Sequence, residues 1–211
     1  MSFIEMHNVS KVIKGHQLLQ DVSLSIEEHQ IIALEGINGS GKTLMLKAML
    51  GLIKTDGQIT VAGGSVQPKL KYPIRAGILI ENPSVINDLT AQQNLALLAA
   101  LQSGIDTMMI TDLLVSFDLG QVGNQKVKKF SLGMKQKLGI AQALLGSNPL
   151  IVLDEPTNAL DEASIDRLVS LIQSVQDGGS TFVIASHDRD FVEKIADRRF
   201  NVKAGVVSEA I

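Results

Sequence analysis

Residues Gly36-Ile37-Asn38-Gly39-Ser40-Gly41-Lys42-Thr43 fit the pattern G-x-x-x-x-G-K-[ST] and lie between a short apolar run and a helical pattern that begins near Lys42. That octet requires a strand, a tight turn and a helix in that order. Its glycines let the backbone curl so that successive N–H groups point inward, and the positive end of the following helix reinforces this anion nest. Lys42 is suited to β- and γ-phosphates, and the Thr43 hydroxyl to Mg²⁺. An ordinary glycine-rich strand-to-helix turn is the alternative for these residues alone.

Around the octet, short apolar runs alternate with longer helical patterns from about residue 30 onward, which predicts an α/β fold with a mainly parallel sheet. The expected central strands are Gln30 to Leu34, Ala76 to Ile80, Leu150 to Leu153 and Thr181 to Ala185, each apolar enough to be buried on both faces. All four end beside polar residues, where open α/β sheets bind ligands. Phe3 to Val9 and Val22 to Ile26 instead alternate apolar with polar residues, so an N-terminal antiparallel β layer is expected, joined by Gly57 to Ala62. Thr90 to Gly120 reads as helical, opened by a capping box of Thr90 and Gln93, and is expected to form an inserted helical subdomain.

Composition removes several classes of function. The 211 residues include no cysteine, which excludes disulfides, thiolate metal sites and cysteine nucleophiles. With 19 basic and 22 acidic residues there is no basic excess for a nucleic-acid backbone, and no nucleic-acid partner is expected. The longest nearly unbroken apolar stretch, Leu95 to Leu101, is far short of the roughly 20 residues needed to cross a bilayer. No secretory signal is visible at the N-terminus, and a cytoplasmic chain is expected.

The apolar run ending in Asp154-Glu155 supplies a second element. Adjacent carboxylates at the end of a buried strand are costly unless a cation or hydrogen-bond donors receive them. Asp154 is therefore a candidate for Mg²⁺, and Glu155 for polarising an attacking water; a solvated acidic turn is the alternative. Together the two elements predict an Mg²⁺-dependent nucleoside triphosphatase or kinase.

Between them, Lys129-Phe130-Ser131-Leu132-Gly133-Met134-Lys135-Gln136-Lys137 resembles the signature motif of the ATP-binding-cassette (ABC) ATPases, usually Leu-Ser-Gly-Gly-Gln at a helix start. The resemblance covers essentially the whole chain. It implies one ABC ATPase domain over residues 1–211, with a catalytic core at about 1–81 and 148–211 and a helical subdomain at about 82–147. It further implies head-to-tail pairing with a second ABC ATPase subunit, as a homodimer or heterodimer, in which Ser131, Leu132 and Gly133 face the partner's ATP. Capping of a core helix by Ser131 is the simpler reading of that residue. Asp161, in Asn158-Ala159-Leu160-Asp161, resembles the D-loop of the family and equally suits a helix cap. His187 matches the family's switch histidine toward the γ-phosphate, and Lys42, Glu155 and His187 form the implied catalytic set.

The chain departs from the family in four places. Glu81 stands where Gln is usual, as either a metal contact or a solvent-facing side chain; Leu132 replaces a glycine and Met134 the Gln. The loop Lys11 to His16 lacks the usual aromatic residue, leaving Ile13 as the nearest apolar contact for the base, so a weak preference for ATP over GTP is implied. The segments Ile80 to Pro83 and Ser131 to Gln136 look like those of bacterial cassettes for bacitracin resistance and lantibiotic immunity. That likeness implies a transmembrane permease partner, peripheral attachment at the inner face of the membrane, and Asn82 through Leu98 as the contact surface, with Val85, Ile86 and Leu89 as candidates. A non-transport ABC-type ATPase, a P-loop kinase or a nucleotide-gated binding module is the alternative.

Overall fold

The computed structural model describes residues 2–210. In chain order the elements are β1 (Ser2–Ile13), β2 (His16–Glu27), β3 (Ile31–Glu35), α1 (Lys42–Met49), β4 (Asp56–Val61), β5 (Gly64–Ser65) and β6 (Ala76–Leu79). There follow α2 (Ala91–Ala99), α3 (Thr107–Ser116), α4 (Leu132–Leu144), β7 (Leu150–Asp154), α5 (Glu162–Asp177), β8 (Thr181–Ser186), α6 (Arg189–Ile195), β9 (Arg198–Lys203) and β10 (Val206–Glu209).

Two sheets form. The larger has the order β10-β9-β3-β8-β7-β6 and is parallel except for the β9–β10 hairpin. Its central strands are buried on both faces, as their uninterrupted apolar sequences require. Alternation along each strand divides the core: Ile31, Ala33, Ile151 and Leu153 join the helices on one side, while Ile32, Leu34, Leu150 and Val152 face α1 and the second sheet. That second sheet, of order β2-β1-β4-β5, is antiparallel. It is the expected N-terminal layer with longer strands, because β1 and β2 pair through irregular registers up to a turn at Lys14-Gly15.

The helical insertion is opened by the expected capping box, with Gln93 N–H donating to Thr90 Oγ1 at 3.1 Å and Thr90 N–H to Gln93 Oε1 at 3.0 Å. Its last helix, α4, packs against β6 and β7 rather than apart from them. A Cβ on Gly77 of β6 would sit 1.8 Å from Ala143 O, so only glycine permits that approach. The apolar core runs unbroken from the sheet into α2 and α3. The C-terminal hairpin β9–β10 and the two-residue β5 carried no expectation from sequence. Among the described residues no helix is long and apolar enough to cross a membrane.

Candidate functional site

The turn from β3 into α1 curls as its glycines allow: Gly39 and Gly41 have φ of 80° and 113°, in the left-handed region. Its outer wall is supplied from far along the chain. Gly205, in the β9–β10 turn, donates its N–H to Ser40 O at 2.9 Å and accepts from Gln20 N–H at 2.9 Å, bracing the loop against β2.

Two cavities adjoin the loop. One, of about 340 Å³, is lined by Asn38 through Leu44 together with Leu18, Lys47, Glu81 and Glu155. The other, of about 350 Å³, lies between Glu35 to Asn38 and His187, Arg189 and Asn201.

Buried Lys42 extends its Nζ back over the loop, donating to Gly36 O at 2.6 Å and standing 3.1 Å from Glu155 Oε1. That carboxylate approach is an ion pair out of line for a hydrogen bond. Glu155 Oε2 accepts the His187 N–H at 3.2 Å and faces His187 Nδ1 at 2.7 Å. An ionised carboxylate only accepts, so Nδ1 carries the proton there and Nε2 is the nitrogen left to face a ligand. Lys42, Glu155 and His187 are thus brought into one constellation.

Beside it, Thr43 Oγ1 donates to Asp154 Oδ2 at 2.8 Å, and the Glu81 N–H reaches the same oxygen at 3.3 Å. Asp154 Oδ1 is buried without a partner, an arrangement that ordinarily costs about 1–3 kcal/mol. Burial raises the Asp154 pKa above the usual carboxylate range, the adjacent Glu155 charge adds to the rise, and the Thr43 and Glu81 hydrogen bonds oppose it. An orphaned carboxylate oxygen next to a hydroxyl fits a hard cation. Among the described residues no group of three or more His, Asp or Glu could hold a metal ion, so phosphate oxygens and water would have to complete the shell.

The Glu81 carboxylate itself turns away from Asp154. It is 58% exposed and pairs with Lys47 at 2.7 Å, so in this structure its main chain, not its side chain, meets the Asp154 oxygen. Ile13 sits at the end of β1, paired with His16 across the hairpin, and is not among the residues lining either cavity. Leu18 and Leu44 are the apolar side chains in the first cavity. Sequence reasoning missed Leu18 and Lys47; the latter was legible, because Thr43 and Lys47 stand four apart on one face of a helix.

A separate cavity of about 440 Å³ surrounds the start of α4, lined by Ser131 to Met134, Lys137, Ala159 to Asp161 and Ser164. Ser131 caps the helix, its Oγ accepting the Met134 N–H at 3.2 Å, and Leu132 beside it is 70% exposed. Asp161 caps α5 by accepting the Ser164 N–H at 2.9 Å, and the hydrogen bonds from Ser164 lower its pKa. Both capping roles are therefore real. This cavity shares no lining residue with the two around the glycine loop.

A phosphate loop, an acid pair at a strand end and a capped helix tip with its own open cavity coincide with a match over residues 19–158 to the family model described as ABC transporter. The chain belongs to the ABC transporter family.

This ABC ATPase is 36% identical over 195 residues to the lantibiotic transport ATP-binding protein SrtF of Streptococcus pyogenes, covering 92% of this chain and 84% of that one. It is 33% identical over 197 residues to the bacitracin transport ATP-binding protein BcrA of Enterococcus faecalis, covering 92% of this chain and 64% of that one. It superposes with a TM-score of 0.88, at 25% identity over 98% of this chain and 97% of the other, on a dimeric post-hydrolysis structure of the ATP-binding cassette MJ0796 bound to ADP and Pi. The ABC ATPase described here is accordingly an ATP-binding and ATP-hydrolysing transport subunit.

Proposed function

We propose that this ATPase drives a separate membrane subunit, that it sits at the inner face of the membrane through that partner, and that the cargo is an antimicrobial peptide of the lantibiotic or bacitracin kind. The names of SrtF and BcrA support the cargo class. The observation that carries the working cycle is the separation of the two half-sites. The tip at Ser131 has a cavity of its own, and none of its lining residues also lines the cavity at the chain's own phosphate loop. ATP held in the loop of one subunit and touched by Ser131, Leu132 and Gly133 of a second binds both faces at once, which favours closure until the γ-phosphate is lost.

Within each site Gly36 to Gly41 offer backbone N–H groups to the phosphates, and Lys42 exchanges its contact with Glu155 for the γ-phosphate. Freed from Lys42, Glu155 orients the attacking water, and His187 presents Nε2 to the γ-phosphate. Thr43 and Asp154 would hold Mg²⁺, which when bound neutralises charge developing on the phosphates. Glu81 would join that set only by leaving Lys47. Asp161, at the edge of the signature cavity, would lie along the seam between subunits. Base selection by Ile13 would require the β1–β2 hairpin to lean over the loop, so weak discrimination of ATP from GTP is expected. For the membrane partner, Ile86 is the best placed of the three apolar candidates, being 51% exposed, whereas Val85 packs against the core.

The test is to isolate the chain with its membrane subunit and to measure survival of cells carrying the pair against a lantibiotic and against bacitracin. Protection lost with Lys42→Ala supports the proposal; equal survival with and without a functional ATPase overturns it.

A further inference from the structure

Gln136 lies in the signature segment without an assigned role, yet it is buried in α4 and donates two hydrogen bonds that leave its helix. Its Nε2 reaches Glu155 O at 3.2 Å and Pro156 O at 3.2 Å. Those carbonyls belong to the turn that presents the Glu155 carboxylate to Lys42 and His187. Glu155 has φ of 48°, a left-handed conformation that a residue with a side chain keeps only where its surroundings hold it. The remaining hydrogen bonds of the Glu155 main chain are its N–H donating to Ala185 O at 2.8 Å and its own carbonyl accepting from Asn158 N–H at 3.2 Å.

The same face of α4 meets the turn a second time. Gly133, three residues before Gln136, lies so close to Ala159 that a Cβ would stand 2.6 Å from its carbonyl oxygen. Helix tip and catalytic turn are therefore clamped at both ends of a short span. Ser131 lies two residues before the Gly133 contact, and Glu155 takes part in the Gln136 contact.

We propose that Gln136 is a positioning residue for hydrolysis: its amide holds the Glu155–Pro156 turn in register with the signature helix, so that a shift of the tip at Ser131 is transmitted to the Glu155 carboxylate. The inference requires no contact between Gln136 and nucleotide. It adds to the ATPase activity a physical link between the surface that faces a second subunit and the carboxylate that serves the chain's own site.

Gln136→Met keeps the volume and removes both donors; Gln136→Glu keeps the shape, removes them too, and gives the same information should the Met variant fail to fold; Gln136→Lys retains donors of similar reach. The expected result is a tenfold or greater fall in kcat for Met and Glu, with KM for ATP within twofold of the parent, and recovery of most of the rate in Lys. In a Glu155→Gln background the same substitutions should not lower the residual rate further, because a residue acting through Glu155 has nothing left to position. ATP-dependent pairing of the Glu155→Gln chain, read by size-exclusion chromatography, separates failure of this inference from failure of the paired cycle. A folded Met or Glu variant with the parental kcat overturns the proposal. So does an equal fractional loss in the two backgrounds, which would mark Gln136 as general scaffolding.

Discussion

The two ends of the proposed ATP site are built on different terms. The loop around Lys42 is enclosed: glycines set its path, β9–β10 braces it from outside, and Glu155, His187, Thr43 and Asp154 converge on it within one chain. The tip at Ser131 is open, capped by one hydrogen bond, with an exposed leucine beside it. Substitutions in an enclosed site act on one subunit's own chemistry. Substitutions in a half-site act on hydrolysis only when a second subunit is present, and this difference supplies the tests.

The largest effect is expected for Lys42→Ala, which removes the charge proposed to meet the phosphates: ATP turnover should fall by at least about 10³-fold, and nucleotide binding should be lost in a fluorescence titration of the isolated chain. Binding unchanged in that titration would break the assignment of the enclosed site. Next is Glu155→Gln, expected to slow hydrolysis on the order of 10²- to 10³-fold while ATP binding persists and an ATP-bound dimer accumulates on a sizing column. Normal turnover in that variant would remove Glu155 from its role.

A bulky Ser131→Arg chain should bind nucleotide as the parent does and yet fail to hydrolyse it. Mixing it with the Lys42→Ala chain should restore activity above either alone, because one composite site then has an intact loop from one subunit and an intact tip from the other. No recovery on mixing would mean that the tip does not complete a partner's site. Ser131→Ala should be milder, with about 1 kcal/mol lost in thermal unfolding from the missing helix cap. The smallest change is expected for Glu81→Gln, which removes one half of an exposed ion pair worth about 0–1 kcal/mol. Its informative readout is the Mg²⁺ dependence of the ATPase rate: a shifted midpoint supports a metal contact, and an unmoved one leaves Glu81 as the partner of Lys47.

The enclosed site was far more legible than the open one. Each strand end beside a polar residue pointed to the crevice, and residues 36–43 are contiguous, so local spacing alone specified the nest and its following helix. Asp161 and Ser131 had two readings in sequence, and both survive folding, since a cap satisfies its own helix whether or not a ligand arrives. Glu81 could not be resolved from its type. A carboxylate near an expected cation suggests ligation, but Lys47, one helical turn beyond Thr43, offers a nearer positive charge. The C-terminal hairpin was missed because Arg198 to Glu209 alternates weakly and its role depends on meeting Gly41, about 160 residues away in sequence.

From residue order alone came the α/β class, the phosphate nest, the acid pair and the family likeness, because each is written in short-range spacing that the backbone geometry of strands and helix starts imposes. Tertiary structure decided what no spacing encodes: that Glu155 holds Lys42 and His187 together, that Glu81 turns to Lys47, that Gly205 braces the loop, and that Gln136 ties the signature helix to the catalytic turn. Those contacts join residues distant in sequence, and their partners exist only once both faces of the large sheet have been packed.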